Sequence, residues 1–469
     1  MRQFLFLVLP GRLIQFILAV LVMRVATHYL SPSEMGRLSL YITVTAFFTV
    51  MFIYPVGTFV NRRIINWFQT GLIANYFYYY WKYLLGTSLI VGLALFFNEF
   101  VQLIDLNSSI LWTLLLICGT LIFNTLNQTL ISSLNLLNYR NWFVSLSILT
   151  ILLGFVVSFL LVFIINSSAE LWFLGQMIGQ LFAAIVAWKV LYSKIPSIKI
   201  ESKLSLNQIA TLFAFSWPVS ISVVLNWTQT QGYRFLIEDS IGLSSLGLFF
   251  AGYAVSAGLI GAVETILATY FQPIFYKKIS GSEDDAISKG WNEYAQILIP
   301  SLILTSFFIV AFSKELAILL LSPNFLSASK FIMWGAIAEL FRSITGIFGL
   351  ISHARMKTKL LLWPHAIGAL ISILLSLILI PTLGSDGVAL SLVVAGIGTL
   401  FSVFICTKSH VKISLSPLRL ILSFFVGLFF FAPKFFGAGD ESLIILIICG
   451  LFFGLIQLLF LRPYLKNHI

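Results

Sequence analysis

Residues 142–165 read WFVSLSILTILLGFVVSFLLVFII. The run carries no charged side chain and is flanked by Arg140 and Asn166. A helix needs roughly 20 apolar residues to cross a hydrocarbon layer about 30 Å thick, and this run is long enough. Moving outward with the same window gives further spans near 4–29, 36–59, 74–97, 110–133, 171–192, 209–237, 246–274, 292–312, 327–352, 360–380, 387–407, 420–433 and 443–461. With the opening run this makes fourteen. The whole chain agrees: of 469 residues 59% are hydrophobic and only 10% charged, with a mean hydropathy of +1.01. A soluble domain carries about 25% charged residues. The expected fold class is an all-α polytopic membrane protein of about 14 transmembrane helices.

The net charge of +11 forms no stripe that would meet a nucleic acid. It sorts by loop instead. With the N-terminus inside and an even number of spans, eighteen Lys and Arg fall on the cytoplasmic side, among them Arg62, Arg63, Lys277, Lys278, Arg355 and Lys412. Arg37, Lys314 and Lys434 fall on the other. Basic residues collect in cytoplasmic loops, so both termini are expected in the cytoplasm. The first span is long and holds Arg12 and Arg24, without a small-residue cleavage site, so it reads as a retained helix. The run Tyr76-Phe77-Tyr78-Tyr79-Tyr80-Trp81 lies at a span end and reads as an interfacial aromatic belt.

A weak repeat organises the chain. Arg24 precedes Gly36 in the Leu30-Ser31-Pro32-Ser33-Glu34-Met35-Gly36 turn, and Arg234 precedes Gly247 in the Gly242-Leu243-Ser244-Ser245-Leu246-Gly247 turn, at nearly the same separation. The basic pairs Arg62-Arg63 and Lys277-Lys278 close the spans that follow. Six spans separate the copies, so both have the same orientation, as parallel repeats require. The expected organisation is a six-helix N-lobe at 1–192, a cytoplasmic linker at 193–208, a six-helix C-lobe at 209–407, and two added helices at 408–469.

Function is sought in the charges inside the spans, because ionisable groups at membrane depth are costly and face cavities or partners. Lys82, Lys189 and Lys330 lie where snorkelling to the headgroups explains them. Arg24 and Arg234 occupy matching repeat positions toward the outer side, where arginine is scarce, and are read as cavity-lining cations. Arg12 is deeper and follows the break at Pro10-Gly11. Glu339 and Arg342, three apart, share a helix face. That pairing reads either as self-neutralising or as a proton-sensitive acid beside a substrate-binding cation. Glu264 has no partner nearby in sequence and needs one from another helix, or a proton. Glu264 and Glu339 are the candidates for ion coupling, and Arg12, Arg24, Arg234 and Arg342 for substrate binding. Asn124, Asn127, Gln128, Gln176, Gln180, Asn226, Gln229 and Gln231 add polarity that by default glues helices together. Pro55 and Pro218 are expected to bend their helices.

Catalytic and metal chemistry find no footing. The five histidines are scattered, the three cysteines lie in or at the ends of spans, and no phosphate-binding glycine loop is followed by a lysine. No cofactor, metal or ATP site is expected.

The turn at 30–36, the segment Ile380-Pro381-Thr382-Leu383-Gly384-Ser385-Asp386-Gly387-Val388-Ala389, and Trp217-Pro218 with Arg234 and the Gly247 turn resemble polysaccharide flippases of the O-antigen (Wzx) type. These belong to the multidrug, oligosaccharidyl-lipid and polysaccharide exporter superfamily. Val388 stands where the usual pattern has an alanine. The resemblance covers essentially the whole chain. It implies two bundles around a central cavity, alternating access, and export of an undecaprenyl-pyrophosphate-linked glycan across the bacterial inner membrane. It further implies coupling to an ion gradient or the membrane potential, with glycan polymerase and ligase machinery downstream. Intramembrane arginines that handle the anionic head group are implied too, which Arg24 and Arg234 match by position. Two other readings stand beside it. A multidrug exporter of the same fold would favour acids over the arginines seen here. A membrane polymerase or ligase would display a large outer loop, which this chain lacks.

Overall fold

In lipid every backbone N–H and C=O must be satisfied within the segment, so a chain this apolar folds as helices. The computed structural model describes residues 9–101, 108–195, 206–279, 284–355, 357–435 and 443–466, and no strand occurs among them. The helices in chain order are α1 (Leu9–Tyr29), α2 (Pro32–Phe48), α3 (Tyr54–Thr70), α4 (Ile73–Val101), α5 (Ile110–Leu136), α6 (Arg140–Ile164), α7 (Ala169–Tyr192), α8 (Leu206–Gln231), α9 (Tyr233–Ile241) and α10 (Leu243–Ile279). There follow α11 (Asp284–Ala311), α12 (Ser313–Leu320), α13 (Ser329–Ala354), α14 (Leu362–Leu383), α15 (Ser385–Thr407), α16 (Pro417–Leu428), α17 (Ala432–Phe435) and α18 (Leu443–Lys466).

Eleven helical segments among the described residues are long and apolar enough to cross a membrane, with two shorter apolar helices at Pro417–Phe431 and Ile444–Gln457. The spans expected at 209–237, 420–433 and 443–461 are helical but fall outside the eleven. By this measure the count is eleven against the fourteen expected. The expected linker at 193–208 lies largely outside the described residues, as do residues 4–8 of the first expected span.

The chain divides into two compact units, Met1–Asp239 and Ser240–Ile469. In the first unit, α6 and α7 cross at small residues. A Cβ on Gly179 would lie 2.3 Å from the Gly154 nitrogen, and one on Gly175 would lie 2.3 Å from the Ser158 backbone. Gly154 and Ser158, like Gly175 and Gly179, are four apart, the spacing that lets membrane helices approach closely. The Ser158 hydroxyl then donates to the Trp172 carbonyl at 2.7 Å.

A second feature of this unit is the interruption between α2 and α3. Residues Thr49–Ile53 form a π-helical turn that ends two residues before Pro55. Proline disturbs the hydrogen-bond ladder, and π turns mark such irregularities. Two side chains supply donors there: Ser220 Oγ of α8 to the Met51 carbonyl at 2.9 Å, and Tyr83 Oη of α4 to the Phe52 carbonyl at 2.6 Å. The bend expected at Pro55 thus has a neighbouring donor set. The span expected to run unbroken over 209–237 is instead two helices, α8 and α9, separated at Gly232. Glycine is a poor helix former.

In the second unit, α10 and α13 approach through Gly252, Ser256 and Gly335. A Cβ on Gly252 would lie 2.4 Å from the Ala328 carbonyl oxygen. Ser256 Oγ donates to the Ile332 carbonyl at 2.6 Å. Trp291 of α11 is fully buried and its indole donates to the Ile347 carbonyl of α13 at 2.9 Å. Asn292, one residue on, donates to the Lys412 carbonyl at 2.7 Å and accepts from the Ser414 amide at 2.8 Å. That side chain fastens the segment leading into α16.

Candidate functional site

The close α10–α13 crossing sets up the charged site of the second unit. Glu264 lies on α10, three turns after Tyr253 and therefore on the same face. Glu339, Arg342 and Ser343 lie on the facing helix α13. Arg342 Nε donates to Glu339 Oε2 at 2.6 Å, while its terminal nitrogen reaches Glu264 Oε2 at 3.4 Å. The Tyr253 hydroxyl donates to Glu339 Oε1 at 2.8 Å, and the Ser343 hydroxyl to Glu264 Oε2 at 2.7 Å. The side chain of Glu339 is 6% exposed, against 28% for Glu264 and 41% for Arg342.

The arrangement brings together three residues singled out in sequence, Glu264, Glu339 and Arg342. The pair three apart forms as helix geometry requires, and the partner that Glu264 needs from another helix is Arg342. Two residues escaped the sequence reading: Tyr253 and Ser343. The signal for Tyr253 was its three-turn separation from Glu264, which carries meaning only once α10 is known to face α13. Chemically, two carboxylates bracket one guanidinium. With all three ionised the trio carries one net negative charge. One proton on a carboxylate, or one monovalent cation beside it, brings the trio to neutrality.

In the first unit the cations have other neighbours. Arg234, at the start of α9, donates to Thr43 Oγ1 of α2 at 2.9 Å. Its guanidinium lies 6.0 Å from the ring centroid of Tyr233. Thr43 itself donates to the Ser39 carbonyl at 2.6 Å, which fixes its hydroxyl. Beside this contact is a cavity of about 320 Å³ lined by Val44, Phe47, Phe48, Leu95, Trp227 and Phe235. Arg12 on α1 donates to Gln15 Oε1 at 2.9 Å and lies 5.4 Å from the Phe143 ring centroid. Arg24 is half-buried on the same helix, roughly 18 Å farther along at 1.5 Å per residue. Arg12 and Arg24 are therefore not one cluster.

The remaining charges serve structure. Lys330, expected to snorkel, instead pairs with Asp386 at the start of α15 at 2.7 Å. Lys82 lies 4.4 Å from the Tyr78 ring centroid. Arg37 sits between Glu34 at 3.2 Å and Glu170 at 3.3 Å. Glu34 also accepts from the Ala169 amide at 2.7 Å, so this group ties the start of α2 to the start of α7. Asn127 donates to Thr150 Oγ1 at 3.0 Å and acts as glue between α5 and α6. Among the described residues no group of three or more His, Cys, Asp or Glu is placed to hold a metal ion.

Residues 25–330 match the family model described as polysaccharide biosynthesis protein. The fold is similar to that of the lipid II flippase MurJ in its inward closed conformation, with a TM-score of 0.74 and 15% identity over 100% of this chain and 99% of that one. It is also similar to an inward-facing multidrug resistance MATE family transporter of the MOP superfamily, with a TM-score of 0.60 and 12% identity over 89% of this chain and 94% of that one. An outward-facing structure of such a transporter aligns with a TM-score of 0.55 and 12% identity over 90% of this chain and 93% of that one. No curated protein matches the sequence. At these identities the likeness to the solved structures is one of fold.

Proposed function

This chain belongs to the polysaccharide biosynthesis protein family, and from that premise we propose that it is a flippase. Its cargo in this reading is an undecaprenyl-pyrophosphate-linked oligosaccharide, carried by alternating access from the cytoplasmic to the outer leaflet of the bacterial inner membrane. The observation that carries the reading is the pair of arginines inside the membrane-spanning helix α1, Arg12 and Arg24, together with Arg234 held on Thr43. Sugar hydroxyls and a diphosphate cannot enter hydrocarbon without replacement of their water. Guanidinium groups supply that replacement, since they donate several hydrogen bonds in a fixed fork that matches phosphate. Arg24 and Arg234, with Arg12, are assigned to the diphosphate.

The Glu264–Arg342–Glu339 group is assigned to ion coupling, because one proton or monovalent cation cancels its net charge. The membrane potential works in the same direction. Moving about two negative charges outward, down an inside-negative potential, releases roughly 4–5 kcal/mol per 100 mV. Both termini are placed in the cytoplasm on the loop-charge pattern, and the flipped glycan would pass to polymerase and ligase machinery on the outer side.

The test is reconstitution. Proteoliposomes holding the full chain are expected to move a fluorescent undecaprenyl-pyrophosphate oligosaccharide between leaflets, and the combined Arg24→Ala and Arg234→Ala variant is expected to lose that movement at normal expression. Normal flipping by the double variant would sink the cation assignment. The resemblance in fold to MATE transporters keeps a multidrug exporter as the second reading. Drug sensitivity of a deletion strain with unchanged surface glycan would favour it.

A further inference from the structure

The aromatic run at the start of α4 is more than a belt. Tyr78 and Trp81 face outward, 54% and 37% exposed, as belt residues do. Tyr76, Tyr79, Tyr80 and Tyr83 follow the i, i+3, i+4, i+7 spacing of one helix face. That face turns inward and lines a cavity of about 240 Å³ against α3 and Leu212 of α8. Trp67 of α3 stacks on Tyr76 with ring centroids 4.1 Å apart and an interplanar angle of 9°. Arg63, also lining the cavity, lies over the Phe59 ring at 4.5 Å. The Tyr80 residue is 5% exposed.

A belt needs none of this. Rings that only anchor a helix at the headgroups keep their polar tips in water. Here mostly apolar aromatic walls are combined with the Tyr76 and Tyr79 phenols and one guanidinium, while the Tyr83 hydroxyl is already engaged by the Phe52 carbonyl. An isoprenyl chain would use the walls and leave the polar groups idle. A bare phosphate would use Arg63 and leave the walls idle. A sugar ring uses both, since it has an apolar C–H face and a rim of hydroxyls. The volume lies just below the range of drug-sized pockets, so it suits one or two rings rather than a long glycan. The cavity runs along α3 from Val56 to Trp67, past Arg63, one of the basic residues that the loop-charge reading assigns to the cytoplasmic side, where a lipid-linked glycan would be loaded.

We propose that the cavity formed by Arg63, Trp67 and the inward face Tyr76, Tyr79, Tyr80 and Tyr83 is a saccharide subsite that receives a pyranose ring of the glycan. The assignment rests on the flippase reading for its cargo, but not for its chemistry. It is tested with the full chain in lipid nanodiscs by saturation-transfer NMR. The probes are neutral and uronic methyl glycosides, with geranylgeraniol as the isoprenyl arm. At least one glycoside is expected to bind. Tyr79→Leu and Tyr76→Leu are expected to weaken it about tenfold, the scale of one lost aromatic contact, while Tyr79→Phe stays near wild type. Tyr79 is the more tolerant position, so it decides the matter should Tyr76→Leu fail to fold. The proposal is overturned if no glycoside binds, if the leucine variants bind as wild type does, or if geranylgeraniol displaces the glycoside.

The same nanodisc protein, reconstituted for flipping, separates the two readings. Glycoside binding with no flipping of the lipid-linked oligosaccharide by wild type would remove the flippase and leave the subsite. Flipping by wild type and by both leucine variants alike would remove the subsite and leave the flippase.

Discussion

The two units hold their arginines in different ways. In the first, Arg234 is held on a hydroxyl, Thr43, and Arg12 on an amide, Gln15. In the second, Arg342 is clamped by Glu339 and Glu264. A hydroxyl or amide partner orients a guanidinium through a hydrogen bond. A pair of carboxylates cancels the charge and exceeds it. In the proposed function the first arrangement meets the anionic head group and the second gains a proton or a cation.

The sharpest way to break this comparison is to remove each arginine in turn. Arg342→Ala leaves Glu339 buried without its counter-charge; with Arg342 itself 41% exposed, the cost is about 2–3 kcal/mol, below that of a fully buried pair. Steric trapping or thermal unfolding in detergent is expected to report a loss of that size. Adding Glu339→Gln to Arg342→Ala is expected to return much of it, because the orphaned charge is gone. Arg234→Ala removes an interhelical hydrogen bond to a hydroxyl and is expected to cost far less, about 0.6–1 kcal/mol. Its main effect should fall on transport. Equal losses of stability for the two single variants would erase the distinction between the units.

How far the sequence reaches is set by the range of the interaction concerned. The spans were legible because twenty apolar residues in a row have one physical meaning, and Glu339 with Arg342 because i and i+3 meet on any helix. Glu264 was legible only as a residue lacking a partner; its bond to Arg342 depends on α10 and α13 touching at Gly252, Ser256 and Gly335. The break at Gly232 was hidden because hydropathy continues through it. Asp386 as the partner of Lys330 was hidden because 56 residues separate them in the chain. The aromatic run was misread in part, since composition located the rings at a span end while only the helix face separates Trp81 from Tyr80.

A smaller perturbation sharpens the acidic side of the comparison. Tyr253→Phe removes the hydroxyl that donates to Glu339 and little else. The carboxylate keeps Arg342, so a loss of about 1 kcal/mol is expected. If the trio couples transport, ion-driven flipping should slow in Tyr253→Phe. An unchanged rate would detach Glu339 from coupling and leave it a structural acid.

The smallest effect tests the cationic side. Thr43→Val keeps the shape of the side chain and removes the hydroxyl that accepts from Arg234. Interhelical hydrogen bonds in membrane proteins average about 0.6 kcal/mol, so stability should hardly change. Position is another matter. Thr43 is itself fixed by its bond to the Ser39 carbonyl, so it holds the guanidinium at a set point beside the cavity lined by Phe47 and Trp227. Loss of that hold is expected to slow flipping by about tenfold, the effect of losing roughly 1.4 kcal/mol of transition-state orientation. Thr43→Ser, which keeps the acceptor, should restore the rate. Rescue by serine with stability flat across all three proteins would assign Thr43 to positioning Arg234. An equal rate in Thr43→Val would mean that the hydroxyl only fills space between α2 and α9.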